Sequence, residues 1–422
     1  MLNVNVKPRS KASAPVAAVP ALHVIGLLVT LAVASSIAWG TPFIWTAWQQ
    51  PAAGGLVFLA ASAYAAGALV TQQLHQYPRA RSTGLALFTT CLVFMVILAL
   101  LVFTRWYYSR SFLVSTAVLT VFWQTVIARA TTPRDWRVAI VPGGSAERIA
   151  NLPGVRATVL SEPRLPEGQD ALVADLTLSP GADWQRFLAD RLVRGTRVFH
   201  AALLFEDMTG RLDLDAGLLA LDRPDVWRVY APVKRLLDVL LVIVTLPITA
   251  PIMLLTALVV RLDSPGAVLF SQERVGQADE PFTIYKFRTM RADAESRGQQ
   301  FASVNDQRIT RVGRFLRKAR IDELPQLFNV LRGDMSLIGP RPEQRAFTDS
   351  LQAQLPLYAY RHLVKPGLSG WAQVNQGYAA GVDETREKIS YDLYYVKHLS
   401  PWLDLLIVGK TIRTILTGFG AR

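Results

Sequence analysis

Four apolar runs fill the first third of the chain, at positions 21–39, 55–70, 85–103 and 112–127. Each approaches the roughly 17–25 residues with which a helix crosses the hydrocarbon core of a membrane. The pattern therefore predicts four transmembrane helices within residues 1–130. Basic flanks set their orientation. Lys7, Arg9 and Lys11 precede the first run, the 40–54 loop has no Lys or Arg, Arg79 and Arg81 follow the second run, and Arg129, Arg134 and Arg137 follow the fourth. Arg105 and Arg110 argue the other way and are outnumbered. The expectation is four crossings with both ends cytoplasmic.

From 131 to 228 the period shortens. Trp136–Val141, Ala171–Asp175 and Thr196–Phe199 read as strands, with a helix at 183–194 between the last two. Strand, helix and strand at this spacing predict a small, Rossmann-like cytoplasmic α/β domain with a parallel sheet. Gly143-Gly144 after the first strand sits where a nucleotide phosphate could be held, but the G-x-G-x-x-G pattern is missing. A structural or regulatory domain is the preferred reading.

Residues 229–422 form the third expected domain, mostly α. It opens on an apolar run, 236–260, flanked by Lys234-Arg235 and Arg261. A straight helix of that length would reach about 37 Å. Pro247 and Pro251 fall near its middle, each removing a helix hydrogen bond. A kinked fifth crossing and a hairpin returning to its starting side are both open on these features.

Composition adds constraints. The chain is 51% hydrophobic and only 18% charged, which suits membrane-buried segments, while a net charge of +13 points to anionic partners. The single cysteine, Cys91, excludes a disulfide framework or a thiolate metal site.

Candidate chemistry lies in the last domain. Phe282, Ile284, Lys286 and Arg288 alternate as on a strand, placing two cations on one face. Arg308, Arg311, Arg314, Arg317 and Arg320 recur every third residue and predict a helix with a broad basic surface. That surface runs into Asp322-Glu323, two adjacent carboxylates among arginines and leucines. Neighbouring cations are expected to keep an aspartate ionised. An ionised carboxylate can attack phosphorus, and its neighbour can hold Mg²⁺, which takes one or two carboxylates plus phosphate oxygens. Pro340 and Pro342 hold Arg341 on a stiff extended stalk suited to gripping phosphate. Residues 402–416 read as an amphipathic closing helix.

Six segments, in order, carry a family resemblance. They are Lys234-Arg-Leu-Leu-Asp238, Tyr285-Lys-Phe-Arg-Thr-Met290, Asp322-Glu-Leu-Pro-Gln-Leu-Phe-Asn-Val330, Gly333-Asp-Met-Ser-Leu-Ile-Gly-Pro-Arg-Pro342, Lys365-Pro-Gly-Leu-Ser-Gly-Trp-Ala-Gln-Val-Asn375 and Tyr391-Asp-Leu-Tyr-Tyr-Val-Lys397. Together they resemble the monotopic polyprenyl-phosphate phosphoglycosyl transferases, the bacterial sugar transferases that begin O-antigen, capsule and exopolysaccharide synthesis. The layout ahead of them resembles the long-form members.

The resemblance implies transfer of a phosphosugar from a UDP-sugar to undecaprenyl phosphate, with release of UMP. Asp322 would be the nucleophile, forming a phosphosugar-aspartate, and Glu323 its dyad partner and Mg²⁺ ligand. Lys286, Arg288, Arg317 and Arg341 would bind substrate, and Asp392 would support the site. The 236–260 run would be a re-entrant helix. In the family it breaks at Ser-Pro, where this chain has Ala250-Pro251. A cytoplasmic sugar nucleotide favours the hairpin, since a fifth crossing would leave the catalytic domain on the wrong face. The implied location is the bacterial inner membrane, the implied partners are the UDP-sugar, the lipid phosphate and the membrane without nucleic acid, and a homodimer is left open. Two rivals stand against this reading. One is a non-enzymatic regulator binding anions through its basic face, which the Asp322-Glu323 pair disfavours. The other is a redox protein built on Gly143-Gly144, which lacks the remaining glycines.

Overall fold

The computed structural model describes residues 18–42, 49, 51–78, 80, 83–130, 135–178, 181–215, 226–291, 306, 308–376 and 382–417. Lys7, Arg9, Lys11, Arg79, Arg81 and Arg134, which set the expected orientation, lie outside the described residues. Internal contacts divide the chain into two compact units, Met1–Gly210 and Arg211–Arg422.

The first unit begins with α1 (Ala18–Trp39), α2 (Pro51–Leu74), α3 (Thr83–Thr104) and α4 (Arg110–Ala130), each a few residues longer than its apolar run. Leu31, Ala34, Leu56, Ala60, Leu101 and Phe112 form their common core, while Val96, Phe103, Val118 and Phe122 face outward. Apolar residues inside and outside alike are the mark of helices that sit in lipid. One polar cluster within the bundle is paired across helices. Thr71 bonds to Thr89 (2.9 Å) and to the Gln124 carbonyl oxygen (3.1 Å), joining three of the four.

A small parallel sheet follows, in the order β2-β1-β3-β4: β1 (Trp136–Ile140), β2 (Val155–Val159), β3 (Ala171–Ala174) and β4 (Val198–His200). Val138 stands between Ala157 and Ala171 in register. Side chains pack on both faces. Val138, Ile140 and Val173 meet Ile149 and Leu204 on one, and Ala139, Val141 and Leu172 meet Phe187 and Leu188 on the other. Burial on both sides explains the near-continuous apolar runs of β1 and β3. The helices are α5 (Ala182–Val193) and α6 (Ala201–Thr209), with a 3₁₀ turn at Gly144–Asn151.

The Gly143-Gly144 turn is closed from within. Asp175 accepts from Ser145 N (2.9 Å) and Ser145 Oγ (3.0 Å), and a Cβ on Gly144 would stand 2.3 Å from the same carboxylate. The position considered for a nucleotide phosphate is thus filled by the protein's own aspartate.

The second unit takes in residues placed by sequence in the domain before it. Leu212 packs with Tyr358, Ile389 and Leu393, so contacts divide the chain at Gly210 rather than near 228. Its first helix, α7 (Val226–Asp263), continues through Pro232, Pro247 and Pro251, each of which leaves one helix hydrogen bond unmade. With it, five helices among the described residues are long and apolar enough to cross a membrane.

Both halves of α7 are held by the same unit. On the N-terminal side, Lys234 pairs with buried Asp404 (2.7 Å), Arg235 donates to Leu331 O (2.8 Å), and Asp238 accepts from Ser336 Oγ (2.7 Å). On the C-terminal side, Met253 and Val260 pack with Phe287 and Leu316. The rest comprises the hairpin β5 (Leu269–Val275) and β6 (Pro281–Phe287), α8 (Arg311–Lys318), α9 (Gln326–Arg332), β7 (Ser336–Ile338), α10 (Arg345–Gln354), β8 (Gly367–Ser369), α11 (Trp371–Asn375), α12 (Val382–Lys397) and α13 (Pro401–Thr417). The basic row does not continue as one helix: α8 covers only its middle, and Arg320 lies beyond the end in a left-handed conformation (φ 57°).

Candidate active site

Four segments converge on the carboxylate pair. Strand β6 brings Lys286. Buried Asn329 on α9 locks that strand, donating to Thr283 O (2.7 Å) and accepting from Tyr285 N (3.3 Å). Helix α8 brings Arg317. Thr310 caps its start by accepting from Gly313 N (2.8 Å). Gly313 lets the helix approach the end of β6, since a Cβ there would lie 2.1 Å from Thr289 O. Arg317 Nε then donates to Thr289 Oγ1 (2.9 Å).

Arg320, in its left-handed conformation, turns the chain into the 3₁₀ turn Ile321–Glu323. A non-glycine residue in that region costs on the order of 1 kcal/mol and is kept where surrounding structure demands it. Here it presents Asp322 and Glu323, both buried. The fourth segment is the 339–343 loop. It lies so close to the 366–370 backbone that a Cβ on Gly339, Gly367 or Gly370 would come within 2.4 Å of main-chain atoms.

Glu323 is the hub of the resulting array. Its Oε1 accepts from Arg341 Nη2 (2.8 Å) and from Lys286 Nζ (3.4 Å), and its Oε2 faces Arg320 Nη1 (3.5 Å). These cations hold its carboxyl well below the usual range despite burial. Asp322 goes the other way. Burial and the adjacent Glu323 charge push it up to about 6, against the pull of Lys286, Arg317 and Arg341. Neighbouring cations pull toward the ionised form, as expected, while desolvation and the neighbouring carboxylate pull harder the other way. Burial also lowers Lys286, to about 8, with Glu323 opposing the shift.

Lys286, Arg317, Asp322, Glu323 and Arg341 thus come together as expected from sequence. Arg288 does not join them. It follows the end of β6, and its guanidinium donates to Ser264 O (2.6 Å) and Pro265 O (2.9 Å), beyond the end of α7. There it ties down the turn by which the chain leaves the helix. Asp392 stands behind the site, paired with buried Arg361 (2.8 Å). Arg320, Arg274 and Arg361 were not singled out as site residues by sequence. Arg320 lay within the basic row, while Arg274 and Arg361 follow no spacing that marks them.

Four cations surround two carboxylates. The surplus positive charge suits phosphate, and among the described residues Asp322 Oδ1 has no hydrogen-bond partner. The bacterial sugar transferase family model matches residues 229–418. Over 96% of both chains, the protein is 41% identical to the UDP-N-acetylgalactosamine-undecaprenyl-phosphate N-acetylgalactosaminephosphotransferase of Aeromonas hydrophila. It is 47% identical to a UDP-glucose:undecaprenyl-phosphate glucose-1-phosphate transferase of Caulobacter vibrioides, over 44% of this chain and 70% of that one. An Escherichia coli enzyme of the same name is 39% identical over 42% of this chain and 39% of its own. The chain belongs to the bacterial sugar transferase family: it is a membrane-bound polyprenyl-phosphate phosphoglycosyl transferase with apolar helices ahead of its catalytic unit.

Two outcomes follow from the geometry. Arg288→Gln will lower the unfolding free energy by about 1–3 kcal/mol, from charged hydrogen bonds lost at a helix end, and leave KM for the sugar nucleotide within twofold. A large KM rise at unchanged stability would return Arg288 to the substrate site. The pH profile of turnover will be a bell. Below about pH 6 Asp322 takes up a proton, and above about pH 8 Lys286 loses its charge. A rate that stays level from pH 5 to 7 would contradict the assignment of Asp322.

Proposed function

We propose that this enzyme moves a sugar-1-phosphate from a UDP-sugar to undecaprenyl phosphate in two steps through Asp322, at the cytoplasmic face of the bacterial inner membrane. The observation that carries the proposal is the pairing of a cation-locked Glu323 with a buried Asp322 of raised basicity. In the first step an Asp322 oxygen attacks the sugar-bearing phosphorus. The bond from that phosphorus to the UMP oxygen breaks, and UMP departs with the electron pair. In the second step an oxygen of undecaprenyl phosphate attacks the same phosphorus. The aspartyl oxygen leaves, regenerating the carboxylate and giving the diphosphate-linked sugar. Lys286, Arg317 and Arg341 neutralise phosphate charge in both steps. The product class is the lipid-linked sugar on which surface polysaccharides are built.

Mg²⁺ fits the carboxylate pair. Among the described residues Asp322 Oδ1 is buried without a hydrogen-bond partner, and Glu323 Oε2 has only the 3.5 Å contact from Arg320. These are hard oxygens with capacity left. No cluster of three acidic, His or Cys side chains surrounds them among the described residues, so a bound Mg²⁺ would take its remaining ligands from water and substrate phosphate. Held by Glu323 beside Asp322, it would supply charge neutralisation at the phosphates.

A re-entrant course for α7 is part of the same proposal. Asp238 and Val260 would stand about 33 Å apart along a straight helix, comparable with the roughly 30 Å hydrocarbon core. Their partners, Ser336 for one and Phe287 and Leu316 for the other, belong to one compact unit. A unit on one side of the membrane can hold both ends only if the helix turns back, and Pro247 and Pro251 supply the weak point. Tags inserted before Lys234 and at the C-terminus will report the same cytoplasmic side. A periplasmic C-terminus would overturn the re-entrant course.

The chemical test uses no lipid acceptor. Enzyme with Mg²⁺ and UDP-N-acetylgalactosamine or UDP-glucose, the two sugar nucleotides named by the relatives, will release about one UMP per site and keep the phosphosugar. Asp322→Asn will abolish the burst. Glu323→Gln will require higher Mg²⁺ and slow both steps. Active enzyme that releases UMP only when lipid phosphate is present, with intersecting double-reciprocal plots, would replace the covalent route with direct transfer.

A further inference from the structure

The loop that carries Arg341 reads Gly339-Pro-Arg-Pro-Glu343, and its two prolines have no N–H to donate. It is held largely by its carbonyls. Gly367 N donates to Pro340 O (2.9 Å), Arg274 Nη1 to Pro342 O (3.3 Å), and Val275 N to Glu343 O (2.9 Å). Gly339 adds a main-chain donor, its N–H meeting Ser369 O at 2.8 Å. The carbonyl of Arg341 itself is held by a side chain, Arg361 Nη2, at 2.7 Å.

Arg361 is only 3% exposed, and three of its nitrogens are engaged. Nε and Nη2 reach Asp392 Oδ2 (3.2 and 2.8 Å), and Nη1 donates to Tyr358 Oη (3.0 Å). The guanidinium lies 5.2 Å from the centre of the Tyr358 ring. Asp392 is 1% exposed. Burying such a pair costs several kcal/mol of desolvation per ion, and apolar residues of like volume often serve stability as well. Stability alone is therefore a weak reason for it. What an apolar pair cannot do is fix a carbonyl by a planar fork whose other prongs are already anchored.

We propose that Arg361, oriented by Asp392 and Tyr358, is a positioning residue that fixes the main chain at Arg341 and so aims the Arg341 guanidinium at Glu323. The inference rests on the reading of Asp322 and Glu323 as the reaction centre. Arg341 is the firmest partner of Glu323, at 2.8 Å, whereas Lys286 and Arg320 stand at 3.4 and 3.5 Å. A shift of the loop would loosen the contact that keeps Glu323 in place. Displacements of about 1 Å at a reacting centre can cost on the order of a hundredfold in rate.

The test is a double-mutant cycle in the full-length membrane enzyme, read as kcat/KM with a saturating lipid phosphate. Arg361→Lys keeps the charge facing Asp392 but has no fork to hold Arg341 O as well. It will lower kcat/KM about ten- to a hundredfold. Arg341→Gln will lower it at least as far. The double variant will be no worse than Arg341→Gln alone, within about twofold, because Arg361 acts only through Arg341. Tyr358→Phe removes one anchor of the fork without unpairing a buried charge. It will give a smaller loss, masked by Arg341→Gln in the same way, and it decides the question if Arg361→Lys fails to fold. Losses that multiply in both double variants would overturn the positioning role. Asp322→Asn, measured alongside, separates the two ideas. If it still turns over, the reading of the centre falls and this inference with it. If it is inactive while the losses multiply, only the role of Arg361 falls.

Discussion

The structure is organised by one electrostatic problem: two adjacent carboxylates, Asp322 and Glu323, are buried together. Both cannot be equally comfortable as anions in a poorly solvated place. The protein resolves this by treating them unequally. Arg341, Lys286 and Arg320 converge on Glu323, which stays charged. Asp322 receives no hydrogen bond at Oδ1 among the described residues and is left with raised basicity. The local architecture follows from delivering those cations: a strand locked by Asn329, a helix that meets the strand at Gly313, a left-handed Arg320 and a proline-flanked Arg341.

The same unit grips the membrane helix by polar means. Asp404 on α13 accepts from Tyr230 Oη (2.7 Å), Lys234 Nζ (2.7 Å) and Tyr395 Oη (2.8 Å). Tyr395 Oη also lies 3.1 Å from Ile338 O, next to the loop that carries Arg341. Arg288 holds carbonyls beyond the other end of α7. Hydrophobic contact would anchor that helix equally well in lipid or on protein. Directional bonds at both ends instead fix its register against the catalytic unit.

Much of this was legible in the sequence because the signals were local. Apolar runs gave the four front helices to within a few residues at most ends, and continuous apolar stretches gave β1 and β3. Strand β2, Val155–Val159, was missed: it alternates small and polar residues at a sheet edge and lacks the apolar density of its neighbours. The carboxylate pair and its three principal cations were also readable, since each sits in a distinctive segment. Arg288 misled because strand periodicity was carried one residue past Phe287, where β6 ends. The basic row misled similarly, since a spacing of three cannot announce that Arg320 leaves the helix. Arg361 carries no local signal at all. Its importance lies in a carbonyl 20 residues away in sequence, and such a partner is visible only in three dimensions.

The inequality between the two carboxylates also bears on why the proposed reaction proceeds in two steps. A nucleophile must be basic enough to attack phosphorus, yet its acyl phosphate must break again when the lipid phosphate arrives. An aspartate held far down by cations would be too weak an attacker, and one left neutral would not attack. Burial beside Glu323 places Asp322 between those limits, mostly ionised near neutrality yet more basic than a solvated carboxylate. Once the phosphosugar is attached, the charge of Asp322 has departed with UMP, and the phosphoryl group keeps its own single negative charge among Lys286, Arg317 and Arg341. The intermediate is therefore stabilised by the same cations that receive the substrate. Glu323, held charged throughout, restores the environment from which Asp322 attacks.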